Sequence, residues 1–145
     1  MLFRTPSGGA SAEDVLSIRN QGTGAGQIGV SGSTISYEGT AIGTFTGGNN
    51  GTSLVITLNS SADATTVTAL VQNITYANTD MAAPTTGART VRYVLTDGDG
   101  GTSANYDATV TVSAVNDAPT DLVLSANTVT ENAANGTVVG TVTGT

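Results

Sequence analysis

Three aspartates around one glycine-rich stretch are the residues whose types and spacing could do chemistry. Asp97 and Asp99 lie two residues apart in "TDGDGG", and Asp107 follows after the turn. Carboxylate oxygens are ligands that Ca²⁺ prefers in proteins. The stretch is not an EF-hand loop, because Thr102 stands at the position that requires Gly and Ala108 at the position that requires the final Glu. Two interpretations stay open: a calcium site, or the plain Asp-Gly turn of a β-hairpin.

These aspartates lie on the clearest structural element of the sequence. Apolar residues alternate with others in "RTVRYVLT" (89–96) and again in "YDATVTVSAV" (106–115). Alternation with a period of two on both sides of "DGDGG" predicts two antiparallel strands, and we expect this hairpin to form the centre of the core. Arg89 and Arg92 flank the first of these strands, and we expect both to pair with surface acids.

Further short strands are predicted before this hairpin. The first is "VLSIR" (15–19), with Val15 or Leu16 facing the core according to its register. Glycine-rich turns separate the strands that follow, and "NNG" (49–51) is typical of a tight hairpin turn. These further strands are predicted at 28–30, 34–37, 41–46, 53–58 and 73–78.

Residues 61–75 depart from this β pattern. Their apolar residues recur with helical spacing, at Val67, Leu70, Val71 and Ile74. Ser61 or Asp63 is placed to cap the N-terminus of a helix. The spacing therefore predicts a short helix from about 63 to 72.

Composition excludes several classes of function. Eleven acidic residues stand against four basic ones, giving a net charge of −7, so the surface repels nucleic acid. There is no His, Cys or Lys, which removes Ser-His nucleophile pairs, thiolate zinc sites and Schiff-base chemistry. No apolar run reaches membrane-spanning length, and we expect no membrane insertion.

Five separated motifs carry a family resemblance. They are "EDVLSI", "VQNITYANT", "RTVRYVLTDGDGG", "ATVTV" and "VNDAPT", in this order over roughly residues 13–120. Together they resemble the cadherin-like and proteoglycan-type β-sandwich repeats of large bacterial surface adhesins and RTX-type secreted proteins. The resemblance implies an all-β fold, an Ig/cadherin-like β-sandwich with one short helix.

The same resemblance predicts how the chain is divided. Residues 1–115 correspond to one repeat that lacks its opening strands, since only "MLFRTPSGGAS" precedes "EDVLSI". Residues 116–120 correspond to a linker, in which Pro119 favours an extended boundary. Residues 121–145 resemble the opening strands of a following repeat. We expect residues 121–143 to fill the gap left by the missing opening strands, either within one chain or from a neighbouring copy. The alternative is that they pack on the linker or stay mobile.

The resemblance also implies further calcium ligands. Asn116 and Asp117 match the calcium-binding linker of such repeats, and Glu13 or Asp14 is a further carboxylate on the opposite strand. Glu131 matches a glutamate early in the following repeat. Without the Asp-x-Asp of a complete next repeat, we expect a linker site to be weak. The alternative for Asp117 is a turn cap before "AP".

These patterns favour a non-catalytic function. We expect a structural and adhesive repeat of an extracellular or cell-surface protein, whose partners are neighbouring repeats or copies of itself, with a surface glycan or protein as adhesive ligand. Such a module could assemble head to tail into a fibre by strand donation, with calcium as a stiffener. An alternative is a carbohydrate-binding module of a secreted enzyme, which needs an aromatic platform. A hydrolase using Glu38 and Asp63 has no support in the local sequence.

Overall fold

A computed structural model describes residues 2–8, 12–97, 99–115, 121–126 and 128–144, and for residues 2–6 it describes the backbone alone. The chain consists mostly of antiparallel strands with one short helix, so the predicted all-β fold is confirmed. It divides into two compact units, Met1–Ala114 and Val115–Thr145. The division lies beside the predicted linker, and each unit is described separately below.

The described residues of the first unit form nine strands and a helix. In chain order these are β1 (Leu2–Ser7), β2 (Asp14–Ile18), β3 (Ile28–Ser31), β4 (Thr34–Tyr37), β5 (Thr40–Thr46), β6 (Leu54–Leu58), α1 (Ala64–Gln72), β7 (Ile74–Asn78), β8 (Gly87–Val94) and β9 (Tyr106–Val112). Seven strands form one sheet in the order β3-β4-β5-β6-β1-β8-β9, and β2 pairs with β7 in a second sheet. The predicted hairpin is β8 and β9, which pair from Gly87↔Val112 to Tyr93↔Tyr106.

One apolar cluster joins the two sheets and the helix. β2 contributes Leu16 and Ile18, which answers the open question of its register: Leu16 is buried and Val15 is only partly so. The seven-stranded sheet contributes the alternate apolar residues of its strands, since successive side chains of a strand point to opposite faces. Leu70 adds the contribution of α1. The other buried members of the cluster are Ile28, Ile35, Ile42, Leu54, Ile56 and Val91.

Local sequence explains why α1 begins and ends where it does. The Asp63 carboxylate accepts a hydrogen bond from the Thr66 N–H at 2.8 Å, and the Thr66 hydroxyl oxygen accepts one from the Asp63 N–H at 2.9 Å. This capping box shows that Asp63, and not Ser61, is the N-cap. At the other end the Asn73 side-chain amide donates to the Ala69 carbonyl at 2.9 Å. Within the described ranges no helix is long and apolar enough to cross a membrane.

The predicted turn at "NNG" is also present. Asn50 and Gly51 both have positive φ, at 47° and 76°, and the Thr52 N–H donates to the Asn49 carbonyl at 2.8 Å. Positive φ at both central residues is the geometry of the tight turns that Asn-Gly favours. This turn connects β5 and β6, which pair from Gly43↔Leu58 to Thr46↔Val55.

The N-terminal segment differs from the prediction. The sequence analysis placed the first strand at 15–19, but Leu2–Ser7 already forms β1, which lies between β6 and β8. The prediction was wrong because this segment has no clear alternation and contains Pro6, which cannot donate to a ladder. The register of β1 against β8 is irregular between Arg4 and Ser7, so the strand accommodates the proline at a bulge. The position between β6 and β8 is therefore filled by a strand of the same chain, β1.

In the part of the second unit that the structure describes there are two short strands, β10 (Leu122–Leu124) and β11 (Val142–Gly144). They pair antiparallel from Leu122↔Gly144 to Leu124↔Val142, and this pair is called the β10–β11 ribbon below. Leu122, Leu124 and Val142 lie on one face of the ribbon with exposed fractions of 71, 46 and 64%. Among the described residues of this unit no apolar side chain is buried. The predicted linker at 116–120 lies outside the described residues.

Candidate functional site

The aspartate turn between β8 and β9 is held together by one carboxylate. Asp97 Oδ1 accepts hydrogen bonds from the N–H groups of Asp99 and Gly101, both at 2.9 Å. The Asp97 N–H donates to the Gly101 carbonyl at 3.2 Å, and Thr96 forms an isolated bridge with Thr102. Asp97 therefore stabilises the turn, as the plain-hairpin interpretation requires. Its role as a calcium ligand stays a prediction.

Asp107 lies on β9, where it is paired with an arginine. Arg92 donates to it through Nε and Nη2, both at 2.7 Å, in the parallel two-bond geometry of strong arginine–carboxylate pairs. The Arg92 guanidinium holds the pKa of Asp107 below its ordinary value. Both side chains are 40% exposed, so this is the surface pair that the sequence predicted for Arg92.

The predicted ligands Asp97, Asp99 and Asp107 do not come together in one cluster. In the part of the chain that the structure describes, no three Asp, Glu, His or Cys side chains are placed to hold a metal ion. Asn116 and Asp117 lie outside that part, and Glu131 is exposed in the second unit. Calcium binding stays a prediction.

Asp14, another of the predicted carboxylate ligands, belongs to a buried network. Arg89 Nε lies 3.0 Å from Asp14 Oδ1 and 3.1 Å from Oδ2, and the Tyr76 hydroxyl donates to Oδ1 at 2.6 Å. The prediction that Arg89 pairs at the surface was wrong, because its side chain is fully buried. Burial, and then the bond to Asp14, raises the pKa of Tyr76. The carboxylate of Asp14 is thus surrounded by protein donors.

The remaining donors of Arg89 bind backbone carbonyls. Nη1 donates to Gly8 and Gly87 at 3.2 and 3.3 Å, and Nη2 donates to Thr85. The bond to Asp14 raises the pKa of the guanidinium. The side chain therefore ties together the end of β1, the start of β2 and the segment that leads into β8. A signal for this network was present in the alternation, since Arg89 shares a face of its strand with Val91 and Asp14 shares one with Leu16.

Glu13 binds the same segment from the edge of β2. Its Oε2 accepts from the Thr85 N–H at 2.9 Å, its Oε1 from the Thr85 hydroxyl at 2.8 Å, and Asn78 Nδ2 donates to Oε2 at 3.2 Å. The backbone N–H of Thr85, with further hydrogen bonds from the side chains of Thr85 and Asn78, lowers the pKa of Glu13. Glu13, which directly precedes β2, thus fastens residues 78–85 to the body of the unit.

Glu38 and Asp63, the pair considered for hydrolysis, each stabilise local structure. Glu38 Oε1 accepts from the Gly26 N–H at 2.7 Å, and Asp63 caps α1. The backbone N–H of Thr66, together with its side chain, lowers the pKa of Asp63.

An apolar groove beside β9 was not predicted. It has a volume of about 360 Å³ and runs between α1, which contributes Val67 and Val71, and the end of the β8–β9 hairpin. The rings of Tyr93 and Tyr106 meet edge to face with centroids 6.2 Å apart. Tyr106 is 72% exposed. The sequence could not reveal the groove, because it depends on where α1 packs along the sheet.

Comparisons of the chain with protein-family models, with curated proteins and with solved structures give no match. The resemblance of residues 13–120 to cadherin-like repeats therefore stays a prediction from the motifs. The all-β fold with one short helix rests on the structure.

Proposed function

We propose that the chain is a non-catalytic structural and adhesive module of an extracellular or cell-surface protein, and that it works by association with neighbouring modules or copies of itself. The observation that carries this proposal is the contrast between the two units. The first unit contains the buried apolar cluster, whereas the β10–β11 ribbon exposes Leu122, Leu124 and Val142. A two-stranded ribbon is marginally stable at best in water, so it gains most by packing on another surface.

The use of the carboxylates supports a structural role. Asp14 pairs with the buried Arg89, Glu13 fastens the segment around Thr85, Asp63 caps a helix and Asp97 closes a turn. Groups that do acid–base chemistry must instead reach a substrate from a cleft. These acids stabilise the protein's own fold, which is the role expected of acidic residues in a structural module.

Strand donation is the mode of association that we propose for the ribbon. A strand added to a sheet of another copy satisfies its backbone groups and buries its apolar side chains in one step. Addition from each copy to the next gives an open fibre when the rotation between copies does not close. Calcium at the linker carboxylates, as the resemblance implies, would stiffen the joint between modules.

Charged substitutions in the ribbon test this proposal in the full chain. Leu122→Asp with Leu124→Asp places two charges on its apolar face, and we expect light scattering to show smaller assemblies than for the unchanged chain. Thr128→Asp is the matched control, since it adds charge at an exposed polar residue of the same unit. Assemblies of unchanged size in the double variant would contradict strand donation by the ribbon.

A carbohydrate-binding module is the second candidate function, and the groove beside β9 is the observation that favours it. Exposed aromatic rings stack on sugars, and Tyr106 is the most exposed tyrosine of the groove. Under this alternative, Tyr106→Ala abolishes retention on a glycan array. Equal retention of Tyr106→Ala and the unchanged chain, or no retention of either, would exclude a glycan site in the groove.

A further inference from the structure

The two outermost strands of the seven-stranded sheet, β3 and β9, differ in whether other described residues hydrogen-bond to their free edges. Beyond β3, the chain itself covers the edge: Asn20 Oδ1 accepts from the Val30 N–H at 3.1 Å, and Gln21 Oε1 accepts from the Ile28 N–H at 3.0 Å. The Gln21 N–H donates to the Ile28 carbonyl at 2.7 Å. Side chains that occupy edge donors in this way prevent a further strand from adding.

The edge formed by β9 has no such cover among the described residues. β9 pairs with β8 alone, and it is the last strand of the sheet. In a strand, alternate N–H and C=O groups point away from the neighbour, so an uncovered edge is a template for another strand. β9 is seven residues long, which is enough for a stable ladder.

We infer that β9 pairs antiparallel with β9 of a second copy about a two-fold axis at Thr109, joining the two seven-stranded sheets into one. This inference rests on the proposed role as an associating module, but it assigns an interface separate from the β10–β11 ribbon. Thr109 is the middle residue of Tyr106–Val112, so all seven residues find a partner in this register. Isologous pairing of this kind is the commonest way in which proteins form dimers.

Charge favours this register. Asp107 is the one charged residue of β9, and Arg92 of the same chain pairs with it at 2.7 Å. In the two-fold register Asp107 faces Thr111 of the second copy, so like charges do not oppose each other. The two Asp107 residues are four positions apart along the ladder, about 14 Å, which exceeds the Debye length at physiological ionic strength.

The side chains of β9 also match each other in this register. On the outer face Thr109 meets its own copy, and Thr–Thr pairs stabilise antiparallel ladders. On the core-facing side Tyr106, Ala108, Val110 and Val112 alternate with the outer residues. Tyr106 meets Val112 of the second copy, an aromatic–β-branched pair, and this contact covers the groove that α1 leaves open beside Tyr106.

Length argues against the ribbon as the occupant of this edge. β10 and β11 have three residues each, so either would leave more than half of β9 unpaired. A second β9 matches its partner along the whole strand. The occupant of the β9 edge is therefore a second copy of β9.

A cysteine at the axis tests the inference directly, because the chain contains no Cys of its own. Directly opposed residues of an antiparallel pair have Cα atoms about 4.5–5.5 Å apart, within the range that a disulfide spans. We expect full-chain Thr109→Cys to form a disulfide-linked dimer under mild oxidation. Thr57→Cys, an exposed residue of the inner strand β6, is the matched control and should stay largely unlinked.

Charged variants at a second position test the register. Thr111→Glu places a second negative charge opposite Asp107 of the other copy. We expect sedimentation at one fixed salt concentration to show that the affinity between the two copies is lower by roughly ten-fold or more. Thr111→Lys places an opposite charge there and should retain or tighten the dimer. Circular dichroism should be used to check that both variants fold like the unchanged chain.

Three results would overturn the inference. They are an unchanged chain that sediments as a monomer at every concentration measured, cross-linking of Thr57→Cys as fast as Thr109→Cys, and equal association of the two Thr111 variants. Failure of the β9 interface remains distinguishable from failure of strand donation. Association that survives Thr111→Glu but is lost in the Leu122→Asp, Leu124→Asp chain contradicts the β9 pairing and supports the ribbon.

Discussion

Arg89 and Asp14 form an ion pair whose side chains are both buried, with the guanidinium Nε 3.0 Å from the carboxylate Oδ1. The two residues belong to different sheets, β8 and β2, so the pair connects the two layers of the first unit. Tyr76 adds a further donor on β7, and the guanidinium reaches the backbone carbonyls of Gly8, Thr85 and Gly87. Every described side-chain nitrogen or oxygen atom that is buried in this region has a hydrogen-bond partner.

Removing the carboxylate of this pair should destabilise the fold strongly. Asp14→Ala leaves the Arg89 guanidinium buried without its counter-charge, and such a loss costs far more than an exposed pair contributes. We expect the melting temperature, followed by circular dichroism, to fall by on the order of 10 °C or more. Asp107→Ala, which breaks the exposed pair with Arg92, is the control and should lower it by only about 2 °C or less.

A cavity made in the apolar cluster that joins α1 to the sheets should lower the free energy of unfolding. Leu70 of α1 is fully buried, so Leu70→Ala should lower the free energy of unfolding by about 2–5 kcal/mol in urea titrations. Val71, the next residue, is partly exposed, and Val71→Ala should cost about 1 kcal/mol or less. Equal losses for the two variants would mean that α1 does not pack as described.

Protonation of Glu13 should contribute to the loss of folding stability in acid. Hydrogen bonds from Thr85 and Asn78 lower the pKa of Glu13 in the folded chain, so the unfolded chain binds more protons between the folded and the ordinary value. The resulting stabilisation is complete above the ordinary pKa of a glutamate and is lost as the pH falls through the lowered one. Melting curves between about pH 5 and about pH 2 should therefore show a smaller loss for Glu13→Gln than for the unchanged chain. Parallel curves would contradict the proposed hydrogen bonds.

Calcium binding at the aspartate turn has a clean test in Asp97→Asn. An asparagine keeps the Oδ1 acceptor that binds the Asp99 and Gly101 N–H groups, but it removes the charge. If the turn helps to bind calcium, as the type and spacing of its aspartates predict, the calcium-induced rise in melting temperature should shrink in this variant. An unchanged rise would assign the turn a purely structural role and place any calcium elsewhere.

Features set by local pattern were predictable, and features set by distant contacts were not. The β8–β9 hairpin, the Asn50-Gly51 turn and α1 follow from alternation, turn chemistry and helical spacing within short segments. β1 gains its strand conformation from β6 and β8, which lie far along the chain, and its own residues carry little signal. The Asp14–Arg89 pair likewise joins residues 75 positions apart. The groove depends on the packing of α1 and could not be predicted either.

The central claim is that this chain associates through exposed strands. Light scattering and negative-stain microscopy of the full chain, beside a chain that ends after Ala114, test it most directly, with calcium and with a chelator. The shorter chain keeps every residue of the buried cluster and the β9 edge. The account predicts filaments or large oligomers for the full chain and nothing larger than a dimer for the shorter one. Monomers in both samples, under both conditions, would contradict it.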